Sequence, residues 1–164
     1  MKFFTPDWFR GAMSDEESDA VFPAYREYLD KLMPEMPATV RALAKGVSLH
    51  DGLLRSATLD RGERALTMIL RCGDLQVGHF DLTLRYTGAD VDPAALSALR
   101  SVARDPKADV REDEIDREVS GSWIHRILFL PYREVTIRFQ GLGLSLEPMP
   151  NCEFERGADV FSET

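Results

Sequence analysis

One constellation in the 164-residue sequence joins side chains of the types that hold metals or move protons: His50, Asp51, His79 and Asp81. Two imidazoles and two carboxylates can in principle bind a divalent cation. A histidine beside a carboxylate can also act as a general acid or base, since its unperturbed pKa is about 6.5. Their spacing argues against a shared site. His50 and Asp51 stand at the mouth of one strand, and His79 and Asp81 share a face of the next strand but one. In a meander those two strands lie roughly 9–10 Å apart. No Ser or Cys sits in a nucleophile elbow such as G-x-S-x-G. The four residues are therefore catalytic candidates only, and no metal or cofactor is expected. The stronger reading of Leu49-His50-Asp51-Gly52 is architectural. His50 or Asp51 hydrogen-bonds backbone where a helical front enters a sheet, and Gly52 supplies a conformation other residues resist.

The elements that must position these residues follow from the pattern. Thr5-Pro6-Asp7-Trp8 opens a short helical turn that Gly11 stops. Ser14 and Glu17 form a capping box for a helix running toward Met33. Its stripe is Val21, Tyr25, Tyr28, Leu29 and Leu32, with Pro23 inside it and a kink or break therefore expected near Phe22. Ala38 to Lys45 is a further helix, with Val40, Leu43 and Ala44 turned inward. Behind Gly52 the period changes to two. Strands are expected at Leu53–Leu59, Arg64–Arg71 and Leu75–Tyr86. In the last of these, Phe80, Leu82, Leu84 and Tyr86 alternate with His79, Asp81, Thr83 and Arg85. Asp92-Pro93 starts another helix, with Leu96, Leu99, Val102 and Ala103 buried.

Three more strands follow. Val110–Val119 is charged enough to suit a sheet edge. Its acidic run is a solvated face, or else a docking surface for a basic partner. Trp123–Leu130 is apolar and reads as central, with His125 as a satisfied core histidine. Glu134–Phe139 alternates. Gly141-Leu142-Gly143-Leu144 has no capped helix behind it, so it is a poor phosphate loop. The fold class expected is α+β. A helical N-terminal third packs on an antiparallel sheet of about six strands, with one helix inserted between strands three and four. Residues 1–147 form one domain, and 148–164 form a polar acidic tail.

Composition narrows the function classes. The chain is 44% hydrophobic and 29% charged, a globular balance. Its net charge is −8, with 28 acidic against 20 basic residues. That balance repels nucleic acid and anionic membrane surfaces, so neither is an expected partner. Cys72 and Cys152 form no CxxC or Cys/His spacing, and no disulfide is expected between them. No signal peptide, lipidation motif or membrane span is evident, which makes the cytoplasm the expected location.

Several of these stretches resemble an uncharacterised bacterial family, a domain of unknown function. They are Met1-Lys2-Phe3-Phe4-Thr5 with Trp8, Leu49-His50-Asp51-Gly52 before an alternating strand pair, Ile127-Leu128-Phe129, and Glu134 to Phe139. The resemblance implies a cytoplasmic bacterial protein and supplies no catalytic residues. A more distant similarity is to small immunity-type proteins, which neutralise toxins by binding them. The function expected is that of a soluble, non-enzymatic protein-interaction module, monomeric or homodimeric through an exposed strand. The competing expectation is a small hydrolase or metal-dependent enzyme using His50, Asp51, His79 and Asp81.

Overall fold

The computed structural model describes residues 1–76, 78–131, 133–151 and 160–164. The helical front is built by its caps. The Thr5 hydroxyl accepts a hydrogen bond from the Trp8 amide at 3.2 Å, opening α1 (Pro6–Phe9). Ser14 and Glu17 form both halves of a capping box at the start of α2 (Asp15–Leu32). Helix α2 runs through Pro23 without the expected break. The forfeited bond there is offset by packing on both sides of it: Phe22 and Tyr25 stack on the buried Phe4, with ring centroids at 5.1 and 5.3 Å. After a 3-10 turn at Met33–Glu35, α3 (Ala38–Gly46) buries Val40 and Leu43.

Two meanders follow. The first is β1 (Leu53–Asp60), β2 (Ala65–Asp74) and β3 (Gly78–Thr87), paired antiparallel in order. Next comes α4 (Pro93–Arg104), whose cap Asp92 accepts from the Ala95 amide at 2.8 Å. The second meander is β4 (Val110–Arg117), β5 (Trp123–Phe129) and β6 (Arg133–Phe139). Two further strands are β7 (Gly141–Met149) and β8 (Phe161–Glu163).

The α+β class and the helix between strands three and four are as the sequence suggests, but the single sheet of about six strands is not. The eight strands form a five-stranded sheet, β7-β3-β2-β1-β8, and a three-stranded one, β4-β5-β6. The reason is burial. Leu66, Met68, Leu70, Leu82 and Leu84 line one face of the first meander; Ile127, Phe129, Val135, Ile137 and Phe139 line a face of the second. All ten lie in one apolar core, where each sheet covers the other.

Strand β7 occupies Gly141-Leu142-Gly143-Leu144, the stretch set aside as a poor phosphate loop, and the first residues of the expected tail. Leu142 and Leu144 stand opposite Tyr86 and Leu84, continuing the core-facing row. Pro148 and Met149 complete β7 opposite Phe80 and His79. At the far edge, Val160 is buried and β8 pairs parallel with β1, so the sheet is not wholly antiparallel. The expected tail at 148–164 is thus strand at both ends, while residues 152–159, including Cys152, lie outside the described residues.

The outer face of the three-stranded sheet receives the front of the chain. Glu114 accepts from the Phe3 amide at 2.9 Å, from the Lys2 amide and from Arg126 at 3.3 Å. Asp116 takes Arg126 at 3.0 Å and the Tyr28 hydroxyl. The Tyr25 hydroxyl accepts from the Ile115 amide at 2.7 Å. Strand β4 is an edge strand, as its charge suggests, yet Glu114 and Asp116 are buried rather than solvated. Pairing with cations and amides is what makes that burial tolerable.

His125 is a satisfied core histidine. It is 0% exposed, lies between the two sheets, and has its Nδ1 2.7 Å from the Tyr86 hydroxyl and its Nε2 3.0 Å from Asp113 Oδ2. A carboxylate can only accept, so Nε2 carries the proton and the Tyr86 hydroxyl donates to Nδ1. Burial pushes the Tyr86 phenol well up, and the Asp113 charge adds to it. Tyr86→Phe leaves Nδ1 unsatisfied in a dry core and should cost roughly 1–3 kcal/mol, read from the urea unfolding midpoint at unchanged m-value.

Candidate functional site

The turn at Leu49–Gly52 is bolted to the start of β4. The Asp51 amide donates to the Val110 carbonyl and the Val110 amide to the Gly52 carbonyl, both at 2.8 Å. Asp51 itself holds the left-handed conformation, at φ 59°. Gly52 is needed for space instead: a Cβ there would lie 2.6 Å from the Leu49 carbonyl oxygen and 3.0 Å from Cys72 Sγ. His50 Nδ1 is 2.7 Å from the Arg111 carbonyl, so this nitrogen carries a proton and donates it. The architectural expectation for His50 is met. Its Nε2 is left facing Asp51 Oδ1 and Arg111 Nη1, each at 3.4 Å.

The other two candidates are elsewhere. Phe80 lines a cleft with His50 and Asp51. His79 and Asp81 flank Phe80 in the strand and so belong to the opposite face of the sheet. There Asp81 is buried between Arg71 Nε, at 2.6 Å, and the Arg55 guanidinium. Burial alone would raise its carboxyl, but the Arg71 and Arg55 contacts outweigh that and hold it below the usual range. His79 stands in the ladder between Gly73 and Met149. The structure brings His50 to Asp51 and does not bring this pair to His79 and Asp81. Among the described residues, no three His, Cys, Asp or Glu side chains gather as a metal site would require.

His50 stands between two clefts. The smaller, about 410 Å³, is bordered by Val47, Ser48, Asp51, Asp74, Phe80 and Leu146. The larger, about 620 Å³, runs between the helical front and β4. Its walls include Phe4, Phe22, Tyr25, Leu29 and Leu43; Arg26 of α2 and Lys45 of α3, the latter paired with Asp30, border it as well, as do His50, Glu112 and Asp113. A β-bulge at Arg111 breaks the alternation of β4 just before these two carboxylates. Asp113 turns toward His125 between the sheets, and Glu112 turns to the other face. Asp113 also raises the Tyr25 phenol, after burial, the larger cause.

Glu112 was hidden from sequence reasoning inside the acidic run, where nothing distinguishes it from Glu114. Its environment does. Its side chain is only 20% exposed, and His50 Nδ1, 3.8 Å away, is already engaged by the Arg111 carbonyl. Burial pushes its carboxyl up; His50 and Arg111 offset part of this, while Asp113 adds to it. Among the described residues, no nucleophile accompanies the pair. Ser48 borders both clefts without a hydrogen bond to the imidazole, and burial, with Asp113 and Asp81 adding, pushes the Cys72 thiol up to about 12.

The chain matches no family model, no curated protein and no solved structure. No helix among the described residues is long and apolar enough to cross a membrane.

Two variants separate the carboxylates. Asp81→Asn removes the carboxylate that Arg71 and Arg55 share and should cost roughly 1–3 kcal/mol in urea unfolding at neutral pH. Since the folded pKa of Asp81 is lowered, its contribution is present above the unfolded value, about 3.9, and is lost as pH falls through the folded one. Glu112 has the opposite sign. Its raised folded pKa favours folding below the unfolded value, about 4.3, and that advantage is lost as pH rises through the folded pKa. Glu112→Gln should therefore raise Tm at pH 7 and change it little at pH 4, by scanning calorimetry.

Proposed function

We propose that this protein is a non-enzymatic interaction module that takes a basic side chain of a protein partner into the larger cleft. The observation that carries this reading is Glu112: a mostly buried carboxylate, with no hydrogen-bonded cation among the described residues, bordering an aromatic-walled cleft whose Lys45 is already paired with Asp30. Holding such a group unpaired costs stability, and an arriving cation removes the cost. A guanidinium suits the place best. Its planar fork matches carboxylates, and it stacks on rings such as Phe22 and Tyr25. The net charge of −8 draws basic partners at long range. An immunity-type protein that blocks a basic toxin would work in this way, as a cytoplasmic protein needing no cofactor. The hydrolase or metal-enzyme alternative is disfavoured by the distance of His79 and Asp81 from His50 and Asp51 across the sheet.

The test uses Trp8, which meets Phe4 and Phe22 edge-on at 5.2 and 5.7 Å and so reports on the cleft wall. Arginine-containing peptides should change its fluorescence, with affinity falling as salt rises. Glu112→Gln should weaken binding at least tenfold, equivalent to about 1.4 kcal/mol. Failure of every basic peptide to bind, together with turnover of an ester or phosphoester reporter that is lost in His50→Ala, would overturn the reading.

A further inference from the structure

The core-facing row of the larger sheet ends in the open at the smaller cleft. Leu82 and Leu84 of β3 are fully buried, and Leu146 stands opposite Leu82 on β7. Yet Leu146 is 50% exposed, and Phe80, next along the row, is only partly buried. With Val47 they wall a cleft of about 410 Å³, within the usual range for small-molecule sites, about 300–1,000 Å³. Asp51 and Asp74 border it, and among the described residues no Lys or Arg does. His50, the other titratable group there, is tied to the Arg111 carbonyl. Gly46, the last residue of α3, adds the negative end of a helix dipole. Lys45, in that last turn, is paired with Asp30 and borders the other cleft. The two carboxylates belong together. The β1–β2 ladder starts with Leu53 opposite Arg71, and a Cβ on Gly52 would lie 3.0 Å from Cys72 Sγ. The next residues outward are Asp51 on one side and Gly73 and Asp74 on the other. Burial, and after it the Asp51 charge, raise the Asp109 carboxyl, and His50 and Arg111 offset only part of this.

We propose that the smaller cleft binds a small primary amine bearing an apolar group, with the ammonium on Asp51 and Asp74 and the apolar group on Val47, Phe80 and Leu146. Each part of the cleft selects one part of this ligand. Covering Phe80 and Leu146 takes apolar surface out of water and completes the row. An ammonium brings three donors to two acids that otherwise repel one another. A metal ion fits less well, because among the described residues no three ligating side chains gather there. An anion would meet only like charge. This site shares no carboxylate with the larger cleft, so it stands whether or not basic peptides bind there.

Heteronuclear NMR titration of the whole chain with 2-phenylethylamine tests this. Amide shifts should gather at Gly73, Phe80 and Leu146. The amine should bind about tenfold more tightly than 2-phenylethanol, equivalent to about 1.4 kcal/mol, and 3-phenylpropionate should not displace it. Ethylamine, which keeps the charge and lacks the ring, should bind more weakly. Asp51→Asn combined with Asp74→Asn removes charge and little else. Asn tolerates the left-handed φ of 59° at position 51, and at position 74 it can still accept from the Gln76 amide. That double variant should bind the amine no better than the alcohol, while its unchanged affinity for the alcohol shows an intact fold. Leu146→Ala should weaken both ligands together. Absence of binding by 2-phenylethylamine overturns the proposal. So does equal affinity of the unaltered chain for amine and alcohol, or a set of shifts centred on Tyr25 and Leu29 in the larger cleft.

Discussion

The contact on which the rest of the structure depends is the chain of hydrogen bonds Tyr86–His125–Asp113. Two apolar sheet faces attract one another without preferring any particular alignment, because hydrophobic burial has no direction. A hydrogen bond has direction, and its absence in a dry core carries a penalty of its own. Tyr86 belongs to the larger sheet, and His125 and Asp113 to the smaller. Sliding one sheet past the other would strand three polar groups at once. The same chain emerges at Asp113 on the border of the larger cleft, so the register of the sheets also places that carboxylate.

Charge is used in two contrasting ways along one strand. Glu114 is nearly inaccessible and saturated: two amides of the chain's own front and Arg126 reach it. Glu112, two residues earlier, has kept its burial and lacks such partners. An acidic side chain fully engaged from within has no capacity for anything else. One left incompletely paired retains affinity for a cation at a cost in stability, the usual trade where a fold makes room for binding.

Local signals were legible in the sequence, and most long-range ones were not. Ser14, Thr5 and Asp92 announce helix starts because capping is decided within four residues. The alternation of Leu82, Leu84 and Tyr86 marks a half-buried strand for the same reason. The division into two sheets was invisible, since alternation says that a face is buried and not against what. Strand β7 was missed because its glycines and serine dilute a core row that shows only when Leu142 and Leu144 meet Tyr86 and Leu84. At the candidate site, the bond from His50 to backbone was foreseeable from its place at a helix-to-sheet junction. The grouping of His50 with Glu112 was not, because it rests on a bulge at Arg111 and a turn some sixty residues upstream.

The parallel pairing of β8 with β1 bears on how the chain reaches this state. Ser162 and Thr58, hydrogen-bonded across that pair at 3.1 Å, are 104 residues apart in sequence. The first meander can assemble from local hairpins within microseconds, but both its flanking strands arrive from far downstream. Closing such loops before any contact rewards them is slow, so the chain belongs with high-contact-order folds. During that interval β1 and β3 stand as bare edges with Leu54, Leu59, Leu82 and Leu84 beside them. The time at which this protein is most prone to aggregate is therefore before its outer strands dock, and chaperone demand should follow the rate of that docking more closely than the stability of the finished fold.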